Sequence, residues 1–544
     1  MFRIEASCVI ARSAFCDEAI LSLKKIASPA RMSRKPGRAP KKQARNDTQM
    51  RHFVNNPGLS LIIFLWLIIF PTNLLAEESS LPQLVLNPED RILVIAPHPD
   101  DEVLGCAGVI QKAVAMKIPV RVVFLTNGDS NQWSFLVYRK HPVVMPGAVE
   151  KMGLVRHDEA LAAAKILGLP PKALIFLGYP DFGTINIWYS HWGSRPALRS
   201  LLTRAKEVPY KNAFRFAASY KGEDMVQDLR TVLNDFKPTQ IFVSHPADHN
   251  GDHLAAYLFL RVALWDLKME KDVVVYPYLI HRQDWPLIKG FHADKVLGPP
   301  SALKDQILWR TFFLNPSEVQ VKIAALKAHR SQYQSTPKYL LTFMHSNELF
   351  GDFPVIKLSV NSSVLTSSTV PPFLGQGSSG APLSQASPGR TEIVEMSRGI
   401  LEQKKNKEIP EELTASERAA FVGIEWKFVR LKDDHLVVSI KLSRPLAEGV
   451  NASVYIFGYR PDRPFAQMPK LHVKLGVKRF SVYDQATVLP KETILVTRLP
   501  DEITIEVPLR ALGDPQNILT SARTYFGNVP LDWSSWRILE LSSE

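Results

Sequence analysis

Ile92-Leu93-Val94-Ile95-Ala96-Pro97-His98-Pro99-Asp100-Asp101-Glu102 decides the fold of this chain. Five uninterrupted apolar residues break off into an imidazole and three carboxylates. A strand that is apolar along its whole length has both faces covered, as in a parallel sheet packed between helices. Ligands of open α/β sheets bind just beyond the carboxyl ends of such strands. His98, Asp100, Asp101 and Glu102 therefore arrive where chemistry is usually done. A second cluster, Ser244-His245-Pro246-Ala247-Asp248-His249-Asn250-Gly251-Asp252-His253, follows another short apolar run, Gln240-Ile241-Phe242-Val243. Two acid–histidine clusters after two strands imply one metal site assembled from distant parts of the chain. Aspartate, histidine and glutamate suit zinc, with three protein ligands for a catalytic site and four for a structural one. Taken alone, His98–Asp101 also reads as a turn in which Asp100 or Asp101 caps the following helix. The second cluster weighs against that reading.

Working outward, strand-like and helix-like segments alternate from about 90 to 350. Strands are expected at 91–96, 120–126, 173–178, 240–244 and 272–280, and helices at 102–116, 150–167, 223–236, 252–267 and 316–334. Strands separated by such helices form β-α-β units around a mostly parallel, Rossmann-like doubly wound sheet. Its rim would gather His98, Asn127, Asp129, Asp181, His245 and His281. Residues 359–400 are rich in Ser, Pro, Gly and Thr and read as a flexible linker. Beyond about 415 the apolar period becomes two: Val438, Ile440 and Leu442, then Ala452, Val454 and Ile456, then Ile503, Ile505 and Val507. That pattern predicts an antiparallel β-sandwich over 415–544. The expected domains are thus 1–76, 85–355, the linker and 415–544.

The chain has 544 residues and a formal charge of +13. Residues 1–76 hold 12 Lys+Arg against 4 Asp+Glu, while the remainder holds 54 against 49. The basicity is concentrated at the N-terminus and no basic stripe with interleaved aromatics follows, so nucleic-acid binding is not expected. Residues 59–70 form a 12-residue apolar run preceded by Arg51 and followed by Leu74-Leu75-Ala76. This is the layout of a secretory signal that starts near Met50. A bilayer-spanning helix needs about 20 apolar residues, so an exported product is favoured over a membrane anchor through 59–75. Cys8, Cys16 and Cys106 are the only cysteines, and cleavage would leave Cys106 alone as a small buried residue.

Ala96-Pro97-His98-Pro99-Asp100-Asp101-Glu102, followed by Leu104-Gly105 and Gly108, resembles the signature of the PIG-L/LmbE-like zinc de-N-acetylases. Further matches follow in order: Leu125-Thr126-Asn127-Gly128, Arg156 with Glu159, Leu177-Gly178-Tyr179 with Asp181, Asp252-His253, and Lys322 through His329-Arg330-Ser331-Gln332. The resemblance spans roughly 90–345. It implies His98, Asp101 and His253 as zinc ligands, Asp100 as general base, and an N-acetylated amino sugar or glycoconjugate as substrate. The family commonly has a histidine three residues before the last ligand. Here that position is Asn250, so the acid role falls to His249, with His245 the second candidate. Asn250 is an expected hydrogen-bond donor to an oxyanion. Arg156, Asp181 and His329 are candidate substrate contacts, with ion pairing or packing as the alternative for each. Glu102 is expected either to orient His98 or simply to favour the helix dipole.

Two other readings stay open at this point: an amidase on a non-sugar amide, and a non-catalytic carbohydrate-binding or scaffold protein with a degenerate deacetylase domain. Trp188, Tyr189 and Trp192 form either a sugar platform or a loop anchor. Trp426, Tyr455, Tyr459, Trp533 and Trp536 are stacking candidates, with core packing the expected role for most, in a C-terminal module that would target the enzyme to large glycans. On that view, removing 400–544 would lower activity on large substrates more than on small ones.

Overall fold

The computed structural model describes residues 81–131, 145–282, 285–359, 393–395, 400–403, 409 and 413–541. Residues 1–76, with the signal-like run 59–75, and most of the 359–400 linker lie outside the described residues.

The first part alternates β1 (Ile92–Ala96), α1 (Asp101–Ala115), β2 (Val120–Thr126), α2 (Pro146–Ile166), β3 (Leu174–Tyr179), α3 (Thr184–Ser190), α4 (Gly222–Phe236), β4 (Gln240–Ser244), α5 (Gly251–Leu267) and β5 (Val274–Tyr278). It then adds β6 (Arg310–Phe313), α6 (Pro316–Ala328), the short α7 (Arg330–Tyr333) and β7 (Asn347–Phe350). The result is a mixed α/β sheet in the order β3-β2-β1-β4-β5-β7-β6, parallel from β3 to β5. β7 pairs antiparallel with both β5 and the edge strand β6. Both are four residues long, too short for their periodicity to stand out in sequence. The 316–334 helix breaks at His329, whose ψ of 63° leaves the helical region.

Alternate residues of each strand face opposite cores. Val94 and Phe124 pack with Val103 of α1 and Leu326 of α6 on one face. Ile95 and Val243 pack with Leu229 of α4 and Leu258 of α5 on the other. The strand order reverses at β1, which pairs with β2 on one side and β4 on the other. Such a reversal leaves a crevice at the carboxyl ends. The residues after Ala96 and after Ser244 therefore meet there, although they lie far apart in sequence.

The chain leaves this sheet through β8 (Val355–Leu358), and continues with β9 (Ile393–Glu395), β10 (Ile400–Gln403), β11 (Ile424–Lys432), β12 (His435–Leu442), β13 (Val450–Tyr459), β14 (Lys470–Leu475), β15 (Phe480–Asp484), β16 (Thr487–Leu489), β17 (Leu495–Arg498), β18 (Glu502–Pro508), β19 (Asn517–Phe526), β20 (Val529–Trp533) and β21 (Arg537–Leu541). One sheet runs β10-β11-β12-β18-β17; the other runs β16-β15-β14-β13-β19-β21-β8-β9, with β20 on β19. Pairing is antiparallel except where β8 joins β21 and β9. The sheets therefore begin before residue 415, and both ends of the linker are held in strands. Val438, Ile440 and Ile505 of one sheet share a core with Val454, Leu471 and Ala522 of the other.

The predicted tethered module is not what the structure contains. Trp188 and Trp192 are fully buried, together with Phe457, Phe465 and Trp536. The Trp188 ring lies 5.6 Å from Phe457, 5.4 Å from Phe465 and 6.1 Å from Trp536. Tyr189 stacks on Tyr455 at 4.6 Å. These aromatics form an internal joint, so Trp188 and Trp192 are anchors rather than a sugar platform. Large aromatics dominate such interfaces because each removes about 150–250 Å² from water. We expect calorimetry to show one cooperative unfolding transition for both parts. Trp188→Ala should destabilise that transition by about 3–5 kcal/mol, and two well-separated transitions would contradict the shared core.

Lys470 is buried in the same joint, over the rings of Phe465 (4.2 Å) and Trp192 (4.8 Å), and donates to the carbonyls of Phe465 and Met468. Burial pushes its ammonium down to about 7, against the pull of Asp484 and Glu223. An unfolded lysine keeps the value of 10.5. Between these two values the unfolded chain carries the extra proton, so stability rises with pH across that window. Lys470→Met should flatten the rise, measured as denaturation midpoint against pH for both proteins; parallel profiles would refute it.

Candidate metal centre

Three side chains converge where β1 and β4 end. His98 Nδ1 lies 3.1 Å from Asp101 Oδ2, and His253 Nε2 lies 3.1 Å from the same oxygen. One ligand atom from each of His98, Asp101 and His253 falls within 4.8 Å of the others, and all three residues are buried. The rings of His98 and His253 are 5.3 Å apart. Neither ring nitrogen of His253 has a hydrogen-bond partner, although carboxylates lie close to both. Asp101 Oδ2, held by the His98 backbone N–H at 2.9 Å, thus faces one ring nitrogen from each histidine, a donor set of the kind that holds a divalent cation.

Each imidazole is backed by a second carboxylate, the arrangement that fixes tautomer and ring orientation in metal sites. His98 Nε2 is 3.2 Å from Asp252 Oδ2. Asp252 is itself held by the Phe182 and Thr184 backbone N–H groups and the Thr184 hydroxyl. His253 Nδ1 is 3.2 Å from Asp248 Oδ2, which also accepts N–H bonds from Ile280 and His281. Against burial, which opposes charge, the carboxylates dominate. Asp101 and Asp248 lift His253 to about 9, and Asp101, Asp181 and Asp252 raise His98 well above its ordinary value. The cluster is thus built for positive charge.

Asp181 joins this group from the end of β3. Its Oδ2 accepts from the Ser130 N–H, and its Oδ1 lies 3.2 Å from His98 Nε2 without a proper hydrogen bond. It lies against His98, within the candidate cluster. His98, Asp181 and Asp252 form a second grouping of ligand type.

Asp100 sits beside the ligands on strained backbone, with φ of 131°, outside the regions ordinary residues favour. Its N–H donates to Glu102 Oε2, and its carbonyl accepts from Val103 and Leu104. Burial pushes the Asp100 carboxyl up to about 7, although the Arg156 guanidinium pulls the other way. Arg156 bonds the carbonyls of Gly128 and Pro99 and reaches Asp100 at 3.3 Å. It therefore braces the carboxylate rather than reaching for substrate.

Five further residues take these places. His329 is fully buried and its Nε2 pairs with Glu102 Oε1 at 2.8 Å, the packing alternative to a substrate contact. Glu102 in turn holds Asp100, not His98. Asn250 caps α5, its Oδ1 accepting the Asp252 N–H, which leaves the amide N–H groups as its donors. His245 faces Trp309 and Phe353, accepts the Ala247 N–H, and is held by burial at about 3, a neutral ring in an aromatic slot. His249 packs its ring on Trp533 at 4.3 Å. The histidine that does reach the cluster is His281, whose ring is 4.6 Å from His253 and whose Nδ1 meets the Tyr339 hydroxyl. Its position after a strand was the only sequence signal.

Residues 93–264 match the PIG-L family model, described as GlcNAc-PI de-N-acetylase. This part of the chain is a PIG-L domain. The chain is similar to a glucosamine-6-phosphate deaminase-like protein of Bacteroides thetaiotaomicron, 21% identical over 304 residues, covering 48% of this chain and 39% of that one. It is also similar to a 1D-myo-inositol 2-acetamido-2-deoxy-alpha-D-glucopyranoside deacetylase of Mycobacterium sp. (strain JLS), 24% identical over 265 residues and covering 45% of this chain and 75% of that one. The chain thus spans about two fifths of the first relative's length and three quarters of the second's. Among solved structures, the N,N'-diacetylchitobiose deacetylase from Pyrococcus horikoshii aligns with 46% of this chain and 75% of its own, at 19% identity and a TM-score of 0.28.

Proposed function

We propose that this protein is an exported, zinc-dependent hydrolase that removes the N-acetyl group from an N-acetylglucosamine-type sugar or glycoconjugate. The observation that carries this reading is the convergence of His98, Asp101 and His253, with Asp100 beside them on strained backbone. The match of residues 93–264 to a de-N-acetylase family supports the substrate class. We read the two C-terminal sheets, which share one core, as a β-sandwich that buttresses the hydrolase domain.

His98, Asp101 and His253 would hold the cation. When bound, it supplies a Lewis acid that polarises an amide carbonyl and makes water more acidic. Asp100 takes the proton of the attacking water, a role suited to a carboxyl whose burial raises it toward neutrality. Arg156 and the Glu102–His329 pair keep Asp100 in place. Asp252 and Asp248 orient the two imidazoles. Burial holds His281 down to about 4, so its ring is neutral; with Nδ1 at the Tyr339 hydroxyl, the other ring nitrogen presents an N–H to an oxyanion.

The test is acetate release from a panel of N-acetyl sugars and acyclic N-acetyl amides. Chelation should abolish release, and zinc should restore it. Release from the acyclic amides alone would favour a non-sugar amidase, and no release at all would overturn the reading.

A further inference from the structure

Trp533 of the C-terminal sheets packs on His249, the residue after the Asp248 that lies against His253. Trp533 ends β20, where pairing with β19 slips register between Thr524 and Tyr525. Such bulges re-aim side chains. The half-buried indole meets the half-buried His249 ring edge to face at 4.3 Å. The His249 N–H donates to the His281 carbonyl at 2.7 Å, and the His281 ring lies 4.6 Å from His253. His249 also directly follows Asp248, which orients His253. A chain of contacts therefore runs from the His253 ring to the His281 ring, through the backbone hydrogen bond between His281 and His249, and from the His249 ring to an aromatic face supplied by the other part of the chain.

Trp533 is rigidly mounted. Ser534 exchanges backbone and hydroxyl hydrogen bonds with Ser521 and Ala522 on β19, and Trp536 is locked in the aromatic joint. A residue needed only for docking would be buried as completely as Trp188 or Trp536, and Trp533 is not. An indole is well suited to bind the apolar face of a pyranose, since it offers a large rigid surface at little entropic cost.

We propose that Trp533 is a specificity-determining residue: it forms the outer wall against which a sugar ring stacks when that sugar's acetamide reaches the His98–Asp101–His253 cluster. This rests on the deacetylase reading and adds that the C-terminal sheets complete the substrate site. The test compares wild type, Trp533→Ala and Trp533→Phe with N-acetylglucosamine and N,N'-diacetylchitobiose as probes, recording KM, kcat, bound zinc and the thermal transition. Trp533→Ala should raise KM by about tenfold or more with kcat changed far less, zinc content kept and the transition retained, and Trp533→Phe should recover most of the loss. An unchanged KM in Trp533→Ala, or an equal loss in both variants, would overturn the inference while leaving the deacetylase reading in place. A wild type that holds zinc but releases no acetate from either probe would overturn both.

Discussion

Asp100→Asn is expected to lower kcat by about 10²–10⁴-fold while zinc stays bound. The amide keeps the shape of the carboxylate, and its carbonyl oxygen still accepts from Arg156, but it cannot accept a proton from water. None of the proposed ligand atoms belongs to Asp100, and its backbone hydrogen bonds to Glu102, Val103 and Leu104 are independent of its side chain. Substrate binding should therefore change little, so the loss should fall on kcat. Loss of zinc together with activity would place Asp100 among the ligands and contradict its assignment as the base. Retained activity would show that the proton goes elsewhere.

His253→Ala should remove both zinc and turnover. Loss of an outer carboxylate typically costs about 10–100-fold in metal affinity, and removal of one of only three ligands should exceed that. The change also leaves Asp101 and Asp248 facing a gap without the imidazole that both approach within 3.2 Å. Without the metal, removal of one partner from buried charge pairs of this kind costs about 3–5 kcal/mol. Elemental analysis should find the variant empty after desalting, and its thermal transition should fall below that of the metal-stripped wild type. A variant that binds zinc with wild-type affinity would exclude His253 from the site.

The frame of the hydrolase domain was readable because its signals are local. The run Ile92–Ala96 can be little other than a strand covered on both sides, and the helix after it starts where the carboxylates do. The convergence of His98, Asp101 and His253 was readable for a related reason: acids and imidazoles stood at the ends of two strands that a doubly wound sheet brings together. Less local features were not readable. The pairing of Glu102 with His329 joins residues 227 apart, and nothing in either neighbourhood signals it. Asn250 was read as chemistry because of its place in the motif, yet it sits where a helix needs a cap. In β13 the alternation predicts Tyr455 and Phe457 on an outward face. They are buried because Trp188 and Tyr189 dock against them, and periodicity within a strand carries no information about a partner on its polar side.

The most direct measurement of the central claim is anomalous diffraction at the zinc edge from crystals of the zinc-loaded protein. The account predicts a peak about 2.0–2.2 Å from a ring nitrogen of His98, a ring nitrogen of His253 and a carboxylate oxygen of Asp101. A peak among His98, Asp181 and Asp252, or none near His253, would contradict it.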